Sequence, residues 1–358
     1  MTRIIILNLL LFFILVNTNA QEKETFTIIK EIKHLPIINQ GSTGTCWSFA
    51  TTSFLESEII RKGLPEIDLS EMYFVNYTYM NKAKDFLLYH GHNNFSEGGL
   101  AHDVFNVLRE HGLSTNDAFP GIKTDGRFQD RDLLNELNIE VSNLNRKRYD
   151  FDASNLESLE PILEKYLGTI PKKIEFGNKK YTPEELLKVT EINPDDYIEI
   201  SSFTHHPFYE QFVLEVPDNW AHGLYYNLPI EEILETISYS LNNGYTVCWD
   251  GDTSENTFRS NEGKADVPKE LVGKITQEMR QETFLNRTTT DDHLMHIVGL
   301  SKDTEGKNCF YTKNSWGAAS NNFGGYLHLT EDYVRLKTIA IVVNKEAIPK
   351  QIRKKLDL

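Results

Sequence analysis

The sequence contains few cysteines for its length. Only three occur among 358 residues, Cys46, Cys248 and Cys309. They are too far apart in the sequence for a zinc knuckle or a dense disulfide framework. The spacing does not decide whether Cys248 and Cys309 bond to each other, and we expect both to be free thiols packed in the core.

Basic residues are also scarce relative to acidic ones. The chain has 37 Lys and Arg against 52 Asp and Glu, a formal net charge of −15 at pH 7. This charge opposes the cationic surface that phosphate backbones require, so no nucleic-acid partner is expected. The hydrophobic content of 40% is enough for a large packed core. No internal repeat or low-complexity tract is present.

Long apolar runs are limited to the N-terminus. Arg3 precedes an apolar run over residues 4–16, and small residues lie before Gln21. The run is shorter than the roughly 17–25 residues of a membrane-spanning helix. Its flanks are typical of a secretory signal peptide. We therefore expect residues 1–20 to be cleaved, the mature protein to be secreted or periplasmic, and no integral membrane segment to remain.

Two helices are indicated in the first third. Apolar residues recur with helical spacing from Cys46 to about Lys62, and Gly63 follows as a stop signal. A second such pattern covers residues 100–111 and is closed by Gly112. Residues 21–123 are therefore expected to form a helical subdomain.

The rest of the chain divides by composition. Residues 124–204 are polar and charged with short helical patches, which favours a helical insertion. Residues 205–358 contain short β-rich runs separated by turn residues, which predict a sheet or a barrel-like subdomain. The expected fold class is α+β.

Cys46 follows a glycine-containing loop and begins the first predicted helix. The free N–H groups and partial positive charge at a helix N-terminus favour a thiolate and lower the pKa of a thiol there. The alternative is a cysteine that only packs as a small apolar side chain.

Two later segments support the catalytic alternative. His293 lies at the start of one predicted strand, and Asn314 lies at the end of the next. Adjacent strands can bring both side chains to one point. A cysteine nucleophile needs a base to take its proton and a third group to orient that base, and His and Asn supply these roles.

Together these segments resemble the papain-like cysteine peptidases. The motif around the nucleophile in that family is matched at Gly44, Cys46 and Trp47, whereas Thr43 stands where the family has a further cysteine. With this departure the sequence resembles the branch of bleomycin hydrolase and bacterial aminopeptidase C. Further segments that resemble the branch, in the same order, are residues 69–71, 98–99, 167–171, 181–185 and 245–249.

The resemblance implies a papain-like fold, with the active-site cleft between a helical and a β-barrel-like subdomain, and a set of catalytic residues. Cys46 would be the nucleophile, His293 the general base and acid, and Asn314 the group that fixes the imidazole tautomer. Gln40 would donate its side-chain amide to an oxyanion hole.

The resemblance also implies substrate contacts. Gly98 and Gly99 would lie beside an extended peptide, because glycine allows close approach of a second backbone. Trp47 and Trp316 are taken as substrate-site residues, and Trp316 would also shield the His–Asn hydrogen bond from water. A pocket for a substrate side chain is expected near Trp249 and Asp250.

No cofactor or metal is expected. His296 lies three residues after His293, and a strand sends these positions to opposite faces. The adjacent histidines His205 and His206 alone are weak support for a metal site. Asp291 and Asp292 are interpreted as solvated acids; the alternative is that their charge tunes the pKa of His293.

The resulting hypothesis is an exported thiol peptidase that acts on peptides or proteins. The branch has a C-terminal arm that makes its members aminopeptidases. We expect this arm to be absent after residues 348–358. The hypothesis therefore includes endopeptidase action equally with aminopeptidase action. The alternatives are an acyl transferase with the same site and a peptide-binding relative without turnover. The oligomeric state is left open.

Overall fold

The computed structural model describes residues 25–147 and 153–358. The expected signal peptide, residues 1–20, lies outside the described residues. The α-helices of the described parts are, in chain order, α1 (Cys46–Arg61), α2 (Glu71–Leu88), α3 (Ala101–His111), α4 (Arg131–Arg146), α5 (Glu160–Leu167), α6 (Pro183–Val189), α7 (Ile230–Asn242), α8 (Gln277–Leu285), α9 (Glu331–Lys337) and α10 (Lys350–Lys355).

The strands lie mainly in the last third of the chain. In chain order they are β1 (Thr27–Glu31), β2 (Ile174–Phe176), β3 (Lys179–Tyr181), β4 (Tyr197–Ser201), β5 (Gln211–Val213), β6 (Leu224–Asn227), β7 (Val247–Gly251), β8 (Phe258–Arg259), β9 (Lys264–Ala265), β10 (His293–Lys302), β11 (Asn308–Lys313), β12 (Tyr326–Thr330) and β13 (Thr338–Asn344).

The helical half is built around α1. Every residue of α1 from Cys46 to Ile59 is buried, because the helix is enclosed by α2 and α3 on one side and by β10 on the other. The side chain of Ser70 caps α2 by accepting a hydrogen bond from the Tyr73 N–H, and Gly112 ends α3 with a φ of 72°.

One mixed sheet forms the other half. Its strand order is β5-β6-β4-β13-β7-β10-β11-β12-β9-β8, and β1 pairs with β10. The first residues of β10 pair antiparallel with β7, where His293 is opposite Gly251 and Leu294 is opposite Asp250. On its other side β10 pairs with β11, where His296 is opposite Lys313. Asn314 directly follows β11, so this register brings it to the same end of the sheet as His293.

The hydrophobic residues form two main clusters, one that joins the helical half to sheet residues such as Cys248, Leu294 and Val342, and one between the sheet, α7 and α9. The α+β, papain-like fold expected from the sequence is confirmed. The expected insertion is helical over much of its length, but β4, within residues 124–204, belongs to the main sheet and pairs with β13. Helix α2 was not among the predicted elements.

The three cysteines are buried and unbonded, which confirms free thiols at Cys248 and Cys309. Across residues 25–147 and 153–358, none of the helices combines the length and the apolar character needed to cross a membrane.

Lys337 is a buried charged residue at the end of α9, and it binds the segment that precedes β10. Its side chain is 2% exposed; the ammonium group lies 3.4 Å from the wholly buried Asp252 carboxylate and 2.6 Å from the Thr288 carbonyl oxygen. We predict that Lys337→Met lowers the free energy of unfolding by about 3–5 kcal/mol, because the Asp252 charge stays buried without its partner. Urea denaturation measures this change.

Lys355→Met is the matched control. Lys355 pairs with Glu232 at 2.6 Å, but its side chain is 44% exposed, so its loss is expected to change the free energy of unfolding far less than the loss of Lys337. Equal effects of the two substitutions would contradict the role given to Lys337.

Candidate active site

Cys46 is the first residue of α1 and lies against the start of β10. The residue is 8% exposed, and the backbone of Leu294 is close enough to lower the pKa of the thiol. The loop before it is held by bonds of its own, since Thr43 Oγ1 donates to the Gln40 carbonyl oxygen at 2.9 Å and the Gly44 N–H donates to Asp130 at 3.1 Å. The thiol is therefore held next to the residue that follows His293.

His293 and Asn314 meet as expected from the sequence. The imidazole Nε2 lies 2.7 Å from Asn314 Oδ1, and the Ser315 N–H donates to the same oxygen at 2.8 Å. Since Asn314 Oδ1 can only accept, Nε2 carries the proton and Nδ1 is free to accept one. Trp316 stacks on the imidazole with ring centroids 4.8 Å apart, so it covers this hydrogen bond.

Burial shifts the pKa values of both Cys46 and His293. Burial, with smaller contributions from the charges of Asp291, Asp250 and Asp218, raises the pKa of the Cys46 thiol to about 12. Burial lowers the pKa of His293 to about 4, against the opposing effect of the Asn314 hydrogen bond. A lone thiolate or a lone imidazolium is therefore unfavourable in this environment.

Gln40 lies in the site, but its amide has another partner. Its Nε2 donates to the Thr43 carbonyl oxygen at 2.7 Å, its Oε1 accepts from the Ser315 hydroxyl, and its backbone N–H donates to the Ser315 carbonyl oxygen at 2.8 Å. Gln40 thus joins the cysteine loop to the Asn314 segment. One of the two amide hydrogens remains for an oxyanion, so that role stays a prediction.

The expectation of a direct substrate contact by Trp47 is wrong. The side chain has no exposed surface, and its indole N–H donates to the Glu97 carbonyl oxygen at 3.1 Å. A side chain at Gly99 would approach Trp47 within about 3.0 Å, and one at Gly98 would clash with the Asp218 carboxylate. Trp47 therefore supports the glycine segment from beneath.

The comparisons with known proteins agree with this arrangement. A family described as "Peptidase C1-like family" matches residues 169–358, which is more than half of the chain, and one described as "Papain family cysteine protease" matches residues 24–162. The chain belongs to the Peptidase C1-like family. It is a cysteine-type peptidase of the papain-like, bleomycin hydrolase type.

The individual relatives have low sequence identity to this chain, but they align with most of its length. Bleomycin hydrolase of Homo sapiens is 22% identical over 88% of this chain and 82% of its own length. Cysteine proteinase 1, mitochondrial, of Saccharomyces cerevisiae is 22% identical over 94% of this chain and 80% of its own length. The crystal structure of PepW from Lactobacillus rhamnosis superposes with a TM-score of 0.76 at 18% identity, covering 95% of this chain and 87% of the other, and shows the shared fold.

A polar cluster that the sequence analysis missed lies beneath the site. The Lys313 ammonium donates to Ser53 Oγ at 2.7 Å, and this oxygen lies 2.9 Å from His296 Nδ1. Glu56 and Glu71 line the same cavity of about 20 Å³. Lys313 precedes Asn314 directly, so the buried carboxylates and this lysine fix the strand end that carries Asn314. The cluster had no local signal because its members come from α1, α2, β10 and β11.

The structure adds a third group to the histidine pair of the peptidase. His205 Nε2 lies 3.1 Å from one Glu215 carboxylate oxygen, and His206 Nε2 lies 2.6 Å from the other. The three side chains offer ligand atoms within 4.8 Å of one another, the spacing of a three-ligand metal site. Their hydrogen bonds to one another already satisfy these atoms.

The shifted pKa values predict how the Cys46 thiol reacts without its base. If His293 is the base for Cys46, the alkylation rate of the wild-type peptidase with iodoacetamide is expected to be high at neutral pH, because the imidazole would take the thiol proton. In His293→Ala the thiol keeps its raised pKa, and the rate at neutral pH is expected to fall by roughly a hundredfold and to rise steadily with pH. The pH dependence of alkylation measures this; a neutral-pH plateau retained by the variant would contradict the pairing.

Proposed function

We propose that the protein is an exported peptidase that cleaves peptide bonds with Cys46 as nucleophile, His293 as general base and acid, and Asn314 as the orienting group. The observation that carries the proposal is the 2.7 Å bond between His293 Nε2 and Asn314 Oδ1 beside a cysteine at a helix N-terminus. The apolar run over residues 4–16 supports export.

The chemistry follows from this arrangement in two steps. His293 Nδ1 takes the thiol proton, and the Cys46 sulfur attacks the carbonyl carbon of the scissile bond. The developing oxyanion would be stabilised by the Cys46 backbone N–H and the remaining amide hydrogen of Gln40. The imidazolium then gives its proton to the leaving amine, and a thioester is left on Cys46.

Hydrolysis of the thioester reverses these roles. A water molecule loses a proton to His293 and attacks the thioester carbonyl, which releases the carboxylic acid and regenerates the thiol. Trp316, stacked on the imidazole, keeps competing water away from the His293–Asn314 bond. The partly exposed Gly98 would pair with the extended substrate on the acyl side.

The nucleophile is tested by substitution and labelling. Cys46→Ala is expected to lower kcat by roughly 10⁴-fold or more while the fold remains, because the other groups cannot form the thioester. A cysteine-directed epoxide should add to Cys46 stoichiometrically, measured by mass spectrometry. Cys309→Ala is the control, since Cys309 is 1% exposed in β11, and this variant should keep both turnover and labelling.

The mode of cleavage is read from the products. Hydrolysis of N-terminally blocked peptides would establish endopeptidase action, whereas cleavage of free peptides alone would establish an aminopeptidase. Unlabelled Cys46 under reducing conditions, or turnover retained by Cys46→Ala, would refute the proposed nucleophile.

A further inference from the structure

Two adjacent imidazoles and one carboxylate converge beside β5. His205 and His206 lie in the segment between β4 and β5, and Glu215 lies two residues after β5. His205 Nε2 is 3.1 Å from one carboxylate oxygen of Glu215, and His206 Nε2 is 2.6 Å from the other. We call these three residues the His–Glu cluster.

The His–Glu cluster is open to solvent. The side chains of His205 and His206 are 29% and 28% exposed, and that of Glu215 is 51% exposed. An ion in solution can therefore reach the three ligand atoms without any opening of the core. The formal net charge of −15 also favours the approach of a cation.

Aromatic side chains hold both imidazole rings in place. His206 stacks on the buried Phe212 with ring centroids 4.4 Å apart, and His205 lies nearly parallel to Phe284 at 5.8 Å. The two imidazoles are 4.5 Å apart, at an interplanar angle of 52°. This packing fixes the direction of each Nε2 and lowers the cost of placing both nitrogens on one ion.

The distances between the ligand atoms are close to those around a zinc ion. Zinc binds histidine nitrogen at about 2.0–2.1 Å and carboxylate oxygen at about 2.0–2.2 Å, so the ligand atoms of a tetrahedral ion lie about 3.3 Å apart. The distance from His205 to Glu215 is already 3.1 Å. The 2.6 Å distance from His206 to Glu215 would have to widen by about 0.7 Å, which rotation of the exposed glutamate side chain allows.

The hydrogen bonds within the His–Glu cluster do not exclude an ion. Each Nε2 carries a proton in these bonds, because the ionised Glu215 carboxylate can only accept. A metal ion needs the lone pair of Nε2, so this proton must pass to Nδ1. His205 Nδ1 lies 3.0 Å from Gln281 Nε2 and 3.4 Å from Gln281 Oε1. The Gln281 amide can therefore donate to Nδ1 in one tautomer and accept from it in the metal-binding tautomer.

We propose that His205, His206 and Glu215 bind one divalent transition-metal ion, and that this ion is Zn²⁺. Two imidazoles and a carboxylate suit zinc, whereas Ca²⁺ and Mg²⁺ take oxygen ligands. Three protein ligands leave the fourth position of the ion to water. None of the three ligands belongs to the candidate active site, so the inference goes beyond the proposed function and does not depend on it.

The ion would restrain a loop that contacts the helical half. Residues 216–223 follow Glu215 and lead to β6. Asn94 Nδ2 donates to the Pro217 carbonyl oxygen at 2.9 Å, and Trp220 Nε1 donates to the Asp103 carboxylate at 3.1 Å. A metal bond at Glu215 would fix the start of this loop to the segment before β5. Zinc is therefore expected to raise the midpoint of thermal unfolding with increasing concentration.

Zinc titration of the Cys46→Ala protein, prepared without a polyhistidine tag, tests the site. The substitution removes the candidate nucleophile, whose thiolate would itself be a zinc ligand. Isothermal titration calorimetry with zinc chloride is expected to show one ion bound per chain with micromolar or tighter affinity. CaCl₂ is the comparison cation and is expected to bind much more weakly, because the site offers two nitrogen ligands.

Two ligand variants and one control assign the zinc to the His–Glu cluster. Glu215→Gln keeps the shape of the side chain and removes its charge, and His206→Gln removes one imidazole. Each should weaken zinc binding by more than roughly a hundredfold, the upper end of the loss when only a group that supports a ligand is removed. His222→Asn is the control, since His222 is an exposed histidine of the same loop with a φ of 54°, which asparagine tolerates.

The outcomes separate a metal site from a hydrogen-bonded cluster. One zinc ion per chain, with an affinity that falls in both ligand variants and is kept in His222→Asn, supports the site. Absence of saturable zinc binding, or binding that survives either ligand substitution in a folded variant, overturns it and leaves the three side chains as a hydrogen-bonded group. Thermal unfolding without zinc checks that each variant is folded. Turnover is not a readout, so failure of the proposed peptidase function leaves this result unchanged.

Discussion

The contact on which the rest of the structure depends is the packing of α1 against β10. It places Cys46, at the helix N-terminus, beside Leu294, and it places Ser53, two turns later, 2.9 Å from His296 Nδ1. Because side chains alternate along a strand, a shift of β10 by one residue would turn His293 away from the cysteine. The registers with β7 and β11 fix that position, so the catalytic geometry is a property of the sheet as much as of the helix.

The charges buried beneath this contact cost free energy to desolvate, and their hydrogen bonds restrict how α1 packs on the sheet. Burial raises the pKa of Glu71 to about 8 and lowers that of Lys313, so the environment weakens the charge on each. Lys313 binds Ser53 across the two halves of the fold, and Glu56 accepts from the Leu69 N–H at 3.0 Å within the helical half. These directional bonds restrict sliding of α1 over the sheet more than an apolar contact would, and they end at the residue before Asn314.

Much of the fold and the candidate site could be predicted from the sequence because the signals are local. Cys46 begins an apolar helical pattern, and His293 and Asn314 adjoin short β-rich runs. Helix α2 lacks such a signal, since its buried residues occupy most of its faces and its period is weak. Strand β4 was not predicted, because it lies in a segment of mainly polar composition. Trp47 was misassigned because a motif gives the position of a residue and not its exposure. The buried polar cluster of Ser53, Glu56, Glu71, His296 and Lys313 could not be predicted, because its members belong to four elements that only the fold brings together.

The acids near the nucleophile oppose the thiolate electrostatically, and their own protonation limits this effect. Burial and the charges of Asp291, Asp250 and Asp218 raise the pKa of the Cys46 thiol, so they disfavour the thiolate. Burial also raises the pKa values of Asp250 and Asp291, and the two side chains interact directly. A proton shared between these two acids removes part of the negative field that acts on the thiol. The reactivity of Cys46 is therefore linked to the protonation of a carboxyl pair on β7 and before β10, as well as to His293.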